Sequence, residues 1–241
     1  MMTALEGTYC GPAPLRADIW SRWNLDPALL LVLGLVALGL LALAPGRNRA
    51  GALAVLVLSV AFVSPLCALS AALFSARVVH HVLLMAVAAP LLALGWPGRR
   101  PRSPVVPLLA ATVVLWAWHW PRAYDLALSN VAAYWAMQAT ILGSAFVFWR
   151  AVIHPDQALG VGLLGVLGGY MQMALLGALL TFAPRALYAI HAVAPPDWGF
   201  TPLGDQQLGG LIMWVPAGLP FAAWGAFVAR RGWQTMAQGL A

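Results

Sequence analysis

Long apolar runs alternate with short polar connections along almost the whole chain. A helix that spans a membrane needs about 20 mostly apolar residues, and runs of roughly this size occur at 27–44, 50–70, 78–96, 104–118, 132–153, 158–182 and 207–229. The pattern predicts an all-α fold, a polytopic membrane bundle of seven transmembrane helices. One membrane domain would cover residues 27–231, between an N-terminal tail (1–26) and a C-terminal tail (232–241).

Prolines and glycines inside the runs predict where helices bend or approach closely. Pro65, Pro90 and Pro216 each remove a backbone hydrogen bond within an apolar run, which can kink the helix. In the sixth run, Gly165 and Gly169 form a small-xxx-small pair, which is typical of tight helix packing in membranes.

Composition supports the membrane class. Hydrophobic residues make up 62% of the chain and charged residues 8%, against roughly 25% charged in a soluble domain. Lysine is absent, so a retinal Schiff base is excluded. In so apolar a chain the isoelectric point near 10.2 is better explained by topology-determining arginines than by binding of nucleic acid, and no nucleic-acid partner is expected.

The arginines predict the orientation. Most of the 13 basic residues fall in the odd-numbered connections and the C-terminal tail, at Arg47, Arg49, Arg99, Arg100, Arg102, Arg150, Arg230 and Arg231. Because cytoplasmic connections are enriched in Lys and Arg, the N-terminus is predicted outside and the C-terminus inside. The longest connection, 183–206, then lies outside.

Four histidines fall on the predicted outer side. His80 and His81 open the third run, His119 closes the fourth, and His191 lies in the long outer connection. On a helix, His81 shares a face with Met85, whereas His80 is turned by about 100°. One of the two adjacent histidines is therefore expected to point into the core.

Asp205 lies at the edge of the last apolar run, where a carboxylate is costly unless it faces protein, water or a metal. The simpler interpretation is an acid in the first turn of a helix that begins after Thr201, favoured by the helix dipole. Met213 lies two turns further along nearly the same face.

Imidazole and thioether groups together suit copper, with thioethers favouring Cu(I). We therefore predict a metal site made by His81, His119 and Asp205, with His80 and Met213 as further candidates. The alternatives are a histidine that only forms interfacial hydrogen bonds and a methionine that only fills the core.

The sequence contains no recognised motif for enzymatic catalysis or nucleotide binding. The chain has no G-x-S-x-G, P-loop, dinucleotide fingerprint or H-E-x-x-H, so enzymatic activity is not expected. Cys10 and Cys67 form no C-x-x-C, and neither a zinc finger nor a disulfide framework is predicted.

Several blocks resemble a known family. They include Trp118-His119-Trp120-Pro121, the stretch 177–184 (GALLTFAP) and above all the stretch 202–214 (PLGDQQLGGLIMW). Over roughly residues 74–231 the chain resembles the bacterial cytochrome c oxidase assembly factors called CtaG, of the seven-helix membrane type.

The resemblance implies a non-enzymatic protein of the bacterial inner membrane that helps to mature a haem–copper oxidase by handling copper on its outer side. The implied partners are oxidase subunits, periplasmic copper chaperones and membrane lipid. The residues that match the family pattern are His81, His119, Asp205, Gln206 and Met213.

The chain also departs from that pattern. Arg77 stands where the family usually has a histidine, His80 where it commonly has a glutamine, and Met137-Gln138 where it usually has Glu-His. If the replaced histidines are ligands, this chain either binds metal differently, with His80 substituting, or has lost the metal.

Three alternatives remain open from the sequence. A copper transporter would need inward ligands, for which only Met171 and Met173 are available. A haem-binding electron carrier could use His81 and His119 as axial ligands. A metal-free assembly scaffold would leave the histidines interfacial.

Overall fold

In the computed structural model of the protein, residues 9–43, 48–96 and 103–239 are described, and this part of the chain is helical without strands. The helices are α1 (Pro27–Leu43), α2 (Asn48–Phe62), α3 (Leu66–Ala72), α4 (Phe74–Gly95), α5 (Val105–Trp118), α6 (Pro121–Ser129), α7 (Val131–Val152), α8 (Leu159–Thr181), α9 (Pro202–Trp214) and α10 (Gly218–Gly239). Four of the arginines that predict orientation, Arg47, Arg99, Arg100 and Arg102, lie outside the described residues.

Among the described helices, four are long and apolar enough to cross a membrane: α4, α7, α8 and the stretch Pro202–Gln238 formed by α9 and α10. The pair α2 and α3, bent by 43°, makes a fifth if it is one span. Two shorter apolar helices, Pro27–Ala42 and Val105–Trp118, coincide with the first and fourth predicted runs. The all-helical membrane class is therefore confirmed.

Prolines mark the breaks as predicted. Pro65 lies where α2 gives way to α3, and Pro216 lies in the turn between α9 and α10. Within α4, Pro90 follows a π-helical segment, Leu83–Ala88. A proline cannot donate to the carbonyl four residues earlier, and the Trp224 indole donates to that carbonyl, of Ala86, at 2.9 Å.

Glycines allow α8 and α9 to touch backbone to backbone. A Cβ added at Gly177 would lie 2.7 Å from the Gly210 carbonyl oxygen, and one at Gly210 would lie 2.6 Å from the Gly177 oxygen. The predicted pair Gly165 and Gly169 is also tightly packed, but against side chains, with a Cβ 2.8 Å from Val152 and 2.9 Å from Phe148 respectively.

The N-terminal segment is fastened across one end of the bundle, which we call the loop end because it carries the connection between α8 and α9. A disulfide joins Cys10 to Cys67 of α3, a single bond that the sequence analysis, which predicted no disulfide framework, did not anticipate. The two cysteines are 57 residues apart, and only the fold brings them together. The Trp198 indole donates to the Pro14 carbonyl at 3.2 Å, which ties the segment to the long connection as well.

At the opposite end of the bundle, Arg231 of α10 caps the C-terminus of α7. Its guanidinium donates to the carbonyls of Ile153 at 2.6 Å and His154 at 2.7 Å. A cation that pairs with the last carbonyls of a helix is favoured both by hydrogen bonding and by the helix dipole.

We predict that Gly210→Ala destabilises the protein by about 1–3 kcal/mol, the usual range for overpacking, because the new methyl group would meet backbone atoms of α8. The thermal unfolding midpoint in detergent would measure the loss. Gly143→Ala is the matched control, since a Cβ there meets nothing within 4 Å; equal midpoints for the two variants would contradict the prediction.

Candidate functional site

Asp205 joins α9 to the beginning of α4. Its carboxylate accepts hydrogen bonds from the backbone N–H of Phe74 at 2.6 Å and of Ser75 at 3.2 Å, and from the Ser75 hydroxyl at 2.5 Å. The first N–H groups of a helix have no partner within the helix, so Asp205 serves as the cap of α4 although it belongs to another helix. It also lies in the first turn of α9, after the N-cap Thr201, which agrees with the simpler interpretation.

The residues that follow Asp205 complete this junction. Gln206 accepts from the Leu187 N–H at 2.7 Å and donates weakly to the Leu180 carbonyl at 3.5 Å, which ties the long connection to α9. A Cβ at Gly209 would lie 2.5 Å from the Phe74 ring, so a glycine is needed for α4 to approach. Much of the family-like block 202–214 is therefore structural.

His81 and His119 lie next to each other in the interior. Their ring centroids are 5.8 Å apart, and the rings belong to α4 and to the residue that ends α5. Both side chains are buried, with 1% and 5% exposure. The fold thus brings together the first two histidines of the predicted site.

His80 is buried too, on the other side of His81. Its ring centroid is 5.8 Å from that of His81 and 4.9 Å from that of Phe62 of α2, edge to face. The expectation that one of the two adjacent histidines points into the core was too narrow, because α4 is covered on more than one face. The order in space is His80, His81, His119.

Five of the six ring nitrogens of these histidines are buried without a hydrogen-bond partner. The exception is Nδ1 of His119, 2.7 Å from the Leu115 carbonyl oxygen. A carbonyl only accepts, so Nδ1 carries the proton and Nε2 of neutral His119 keeps its lone pair. A neutral imidazole with a free ring nitrogen is the form that ligates metals.

Arg77 and Gln138 complete what we call the polar cluster, formed by Arg77, His80, His81, His119 and Gln138. Arg77 is 1% exposed, with Nε and Nη1 unpartnered, and Gln138 is 1% exposed with both side-chain polar atoms unpartnered. The guanidinium lies 5.3 Å from the centroid of the Tyr134 ring, one helical turn from Gln138 on α7.

An aromatic roof, formed by Phe74, Tyr124, Tyr188 and His191, covers the cluster at the loop end. Phe74 stacks on Tyr188 at 4.6 Å, and the Tyr188 hydroxyl donates to the His119 carbonyl at 3.0 Å. His191 Nδ1 lies 3.2 Å from the Ala72 carbonyl, and its Nε2 lies 2.8 Å from the Tyr124 hydroxyl. The carbonyl fixes the tautomer, so His191 donates through Nδ1 and accepts from Tyr124.

Two of the predicted ligands, Asp205 and Met213, have contacts with other parts of the fold. Both oxygens of Asp205 are engaged by α4, and Met213, 1% exposed, packs against Gly177. Within the described residues, no group of three or more His, Cys, Asp or Glu side chains is arranged to hold a metal ion. The arrangement that remains is a pair of imidazoles, with His80 as a neighbour.

Sequence reasoning missed the central position of Arg77. The third predicted run begins at residue 78, which leaves Arg77 in a connection, but α4 begins at Phe74 and Arg77 lies in its first turn. An arginine beside a histidine pair at the edge of an apolar run was an available signal. Tyr124 and Tyr188 belong to the blocks that resemble the family, but their contacts in the roof could not be predicted, because their partners are distant in the chain.

These features define a class: a polytopic helical membrane protein whose loop end encloses a pair of buried histidines. The comparison with protein families gives the particular assignment. The chain belongs to the cytochrome c oxidase caa3 assembly factor family (Caa3_CtaG), whose sequence model matches residues 35–235. The resemblance inferred from the motifs is thereby confirmed, and the match begins earlier than the motifs indicated. No curated protein and no solved structure matches the chain.

We predict that Asp205→Ala lowers the stability of the metal-free protein by about 2–4 kcal/mol, because two buried N–H groups and a hydroxyl lose a charged acceptor. Thermal unfolding in detergent without added metal would measure this loss. Asp197→Asn, which changes an exposed acid of the connection before α9, is the control. Wild-type stability of Asp205→Ala without metal would show that the carboxylate is not a structural cap.

Acid is predicted to loosen the roof. Burial lowers the pKa of His191 to about 3, whereas an unfolded histidine titrates near 6.5. The unfolded state therefore binds the proton first, so stability is complete above about pH 6.5 and falls as pH decreases toward 3. For His191 alone the loss at pH 4.5 is about 3 kcal/mol.

Unfolding midpoints of wild type and His191→Gln at pH 7.5 and 4.5 would test this expectation. The variant should be less stable than wild type at pH 7.5 and lose less on acidification. An identical acid-induced decrease in both proteins would contradict it.

Proposed function

We propose that this protein is a non-enzymatic assembly factor of the bacterial inner membrane that binds copper transiently between His81 and His119 and passes it to a haem–copper cytochrome c oxidase. Family membership supplies the assembly role. The observation that carries the copper site is that five of six ring nitrogens in three neighbouring buried histidines have no hydrogen-bond partner.

The chemistry of these donors fits copper. A buried polar atom without a partner costs roughly 1–3 kcal/mol, and a metal ion would use several such atoms at once. Neutral imidazole suits copper among other transition metals, and few ligands favour an ion that must be released. His81 and His119 would be the ligands. His80 would be a further ligand in place of Asp205, whose oxygens already accept hydrogen bonds from α4.

Two features support an extracytoplasmic site. Disulfides form and persist in oxidising compartments, and Cys10–Cys67 lies at the loop end, in agreement with the arginine pattern that puts the N-terminus outside. In a bundle of seven spans, this end would face the copper centre of an oxidase subunit and periplasmic copper chaperones. Because the roof covers the histidines, transfer requires the roof to move when a partner docks.

A metal-free scaffold is the second candidate function. It is favoured by the lack of any three-ligand group among the described residues and by the structural use of Asp205. The copper transporter has less support, since Met171, one of its two inward steps, is 55% exposed on the outside of the bundle.

The test is Cu(I) binding by purified protein in nanodiscs. We expect wild type to retain Cu(I) through gel filtration and His81→Ala/His119→Ala to lose it, whereas Met171→Leu, a lipid-facing change, should bind like wild type. Unfolding midpoints would verify that the double variant is folded. Equal copper in wild type and double variant would defeat the site assignment, and a Soret band in the purified protein would instead indicate haem.

The assembly role is tested separately, by expressing the same variants in a strain that lacks its own copy. We expect the double variant to give low oxidase activity that excess copper restores. Full oxidase activity without added copper would favour the metal-free scaffold.

A further inference from the structure

The polar cluster contains a positive charge that no acid neutralises in the described structure. The ion pairs of the described residues are Arg22 with Asp18 and His154 with Asp156, and neither includes Arg77. Asp205, the acid that holds the start of the same helix, is bonded to Phe74 and Ser75. The guanidinium of Arg77 instead faces the ring of Tyr134.

This charge is placed next to the histidines by the helix. Arg77 is three residues before His80 and four before His81, and side chains at these spacings are neighbours, with Cβ atoms about 5–6 Å apart. Arg77 is almost completely buried, with 1% of its surface exposed. Little water is therefore available to screen its charge from an ion held by His81 and His119.

We propose that Arg77 makes the histidine pair selective for a monovalent cation, Cu(I), over divalent cations such as Zn(II) and Cu(II). The inference rests on the proposed copper site and adds the charge of the ion that it accepts. A fixed positive charge repels a divalent ion twice as strongly as a monovalent one. At a separation of about 6 Å and an effective dielectric constant of about 20, each unit of ionic charge costs on the order of 100-fold in affinity.

The number of ligands points the same way. Zn(II) in proteins is almost always bound by four groups, or by three protein groups and a water, and the described residues offer no three-ligand group. Cu(I) has a lower charge and accepts two ligands, so a pair of imidazoles can hold it. Too few ligands and one fixed charge both act against divalent ions.

The test compares dissociation constants for Cu(I) and Zn(II), measured by competition with a chromogenic Cu(I) chelator and a zinc dye. The variants are Arg77→Gln, which removes the charge but keeps polar groups, and Arg77→Lys, which keeps the charge. We expect Arg77→Gln to improve Zn(II) affinity at least 10-fold more than Cu(I) affinity, and Arg77→Lys to keep the wild-type ratio. An unchanged ratio in Arg77→Gln would overturn the inference.

A measurement on wild type keeps the proposal testable if Arg77→Gln does not fold. Wild type that binds Zn(II) within 10-fold of Cu(I) contradicts charge selectivity whatever the variants do. Failure of the proposed function looks different: Cu(I) would then bind neither wild type nor Arg77→Lys, or would bind His81→Ala/His119→Ala as well as wild type.

Discussion

The hydrogen bonds from the start of α4 to the Asp205 carboxylate are the constraint on which the rest of the loop end depends. Without them, the first N–H groups of α4 would be unpaired in a region with little water, which is costly. With them, α4 begins at Phe74 and its side chains have a fixed register. Arg77 then falls in the first turn of the helix and the two histidines directly after it.

The same junction explains why the interior can contain so many polar atoms. Backbone contact between Gly177 and Gly210 holds α8 against α9, and α9 holds α4 through Asp205 and Gly209. Because these contacts do not involve the histidines, the packing around the polar cluster does not depend on hydrogen bonds within the cluster. Proteins commonly give up local stability at sites that serve function. Here the packing of α4, α8 and α9 offsets the stability lost to the unpartnered polar atoms of the cluster.

Hydropathy predicted the helices well because an apolar run of sufficient length has few other structures available in a membrane. It failed at helix ends, where tertiary contacts decide. The start of α4 is set by a carboxylate 131 residues away, so Arg77 was placed outside its helix. The proximity of His81 and His119 was predictable, because both were predicted on the same side of the membrane. The hydrogen bonds from α4 to Asp205 were not predictable, since a side chain that caps a different helix leaves no local sequence pattern. The Cys10–Cys67 pair was missed for the same reason.

That disulfide has a consequence for the synthesis of the protein. Closing a loop of 57 residues raises the free energy of unfolding by about 4 kcal/mol in the chain-entropy treatment, but only once both thiols have reached an oxidising compartment. Cys10 leaves the ribosome first and must wait until α1 and α2 have been inserted before Cys67 arrives. Formation of this bond therefore depends on a thiol oxidant in the compartment that the loop end faces.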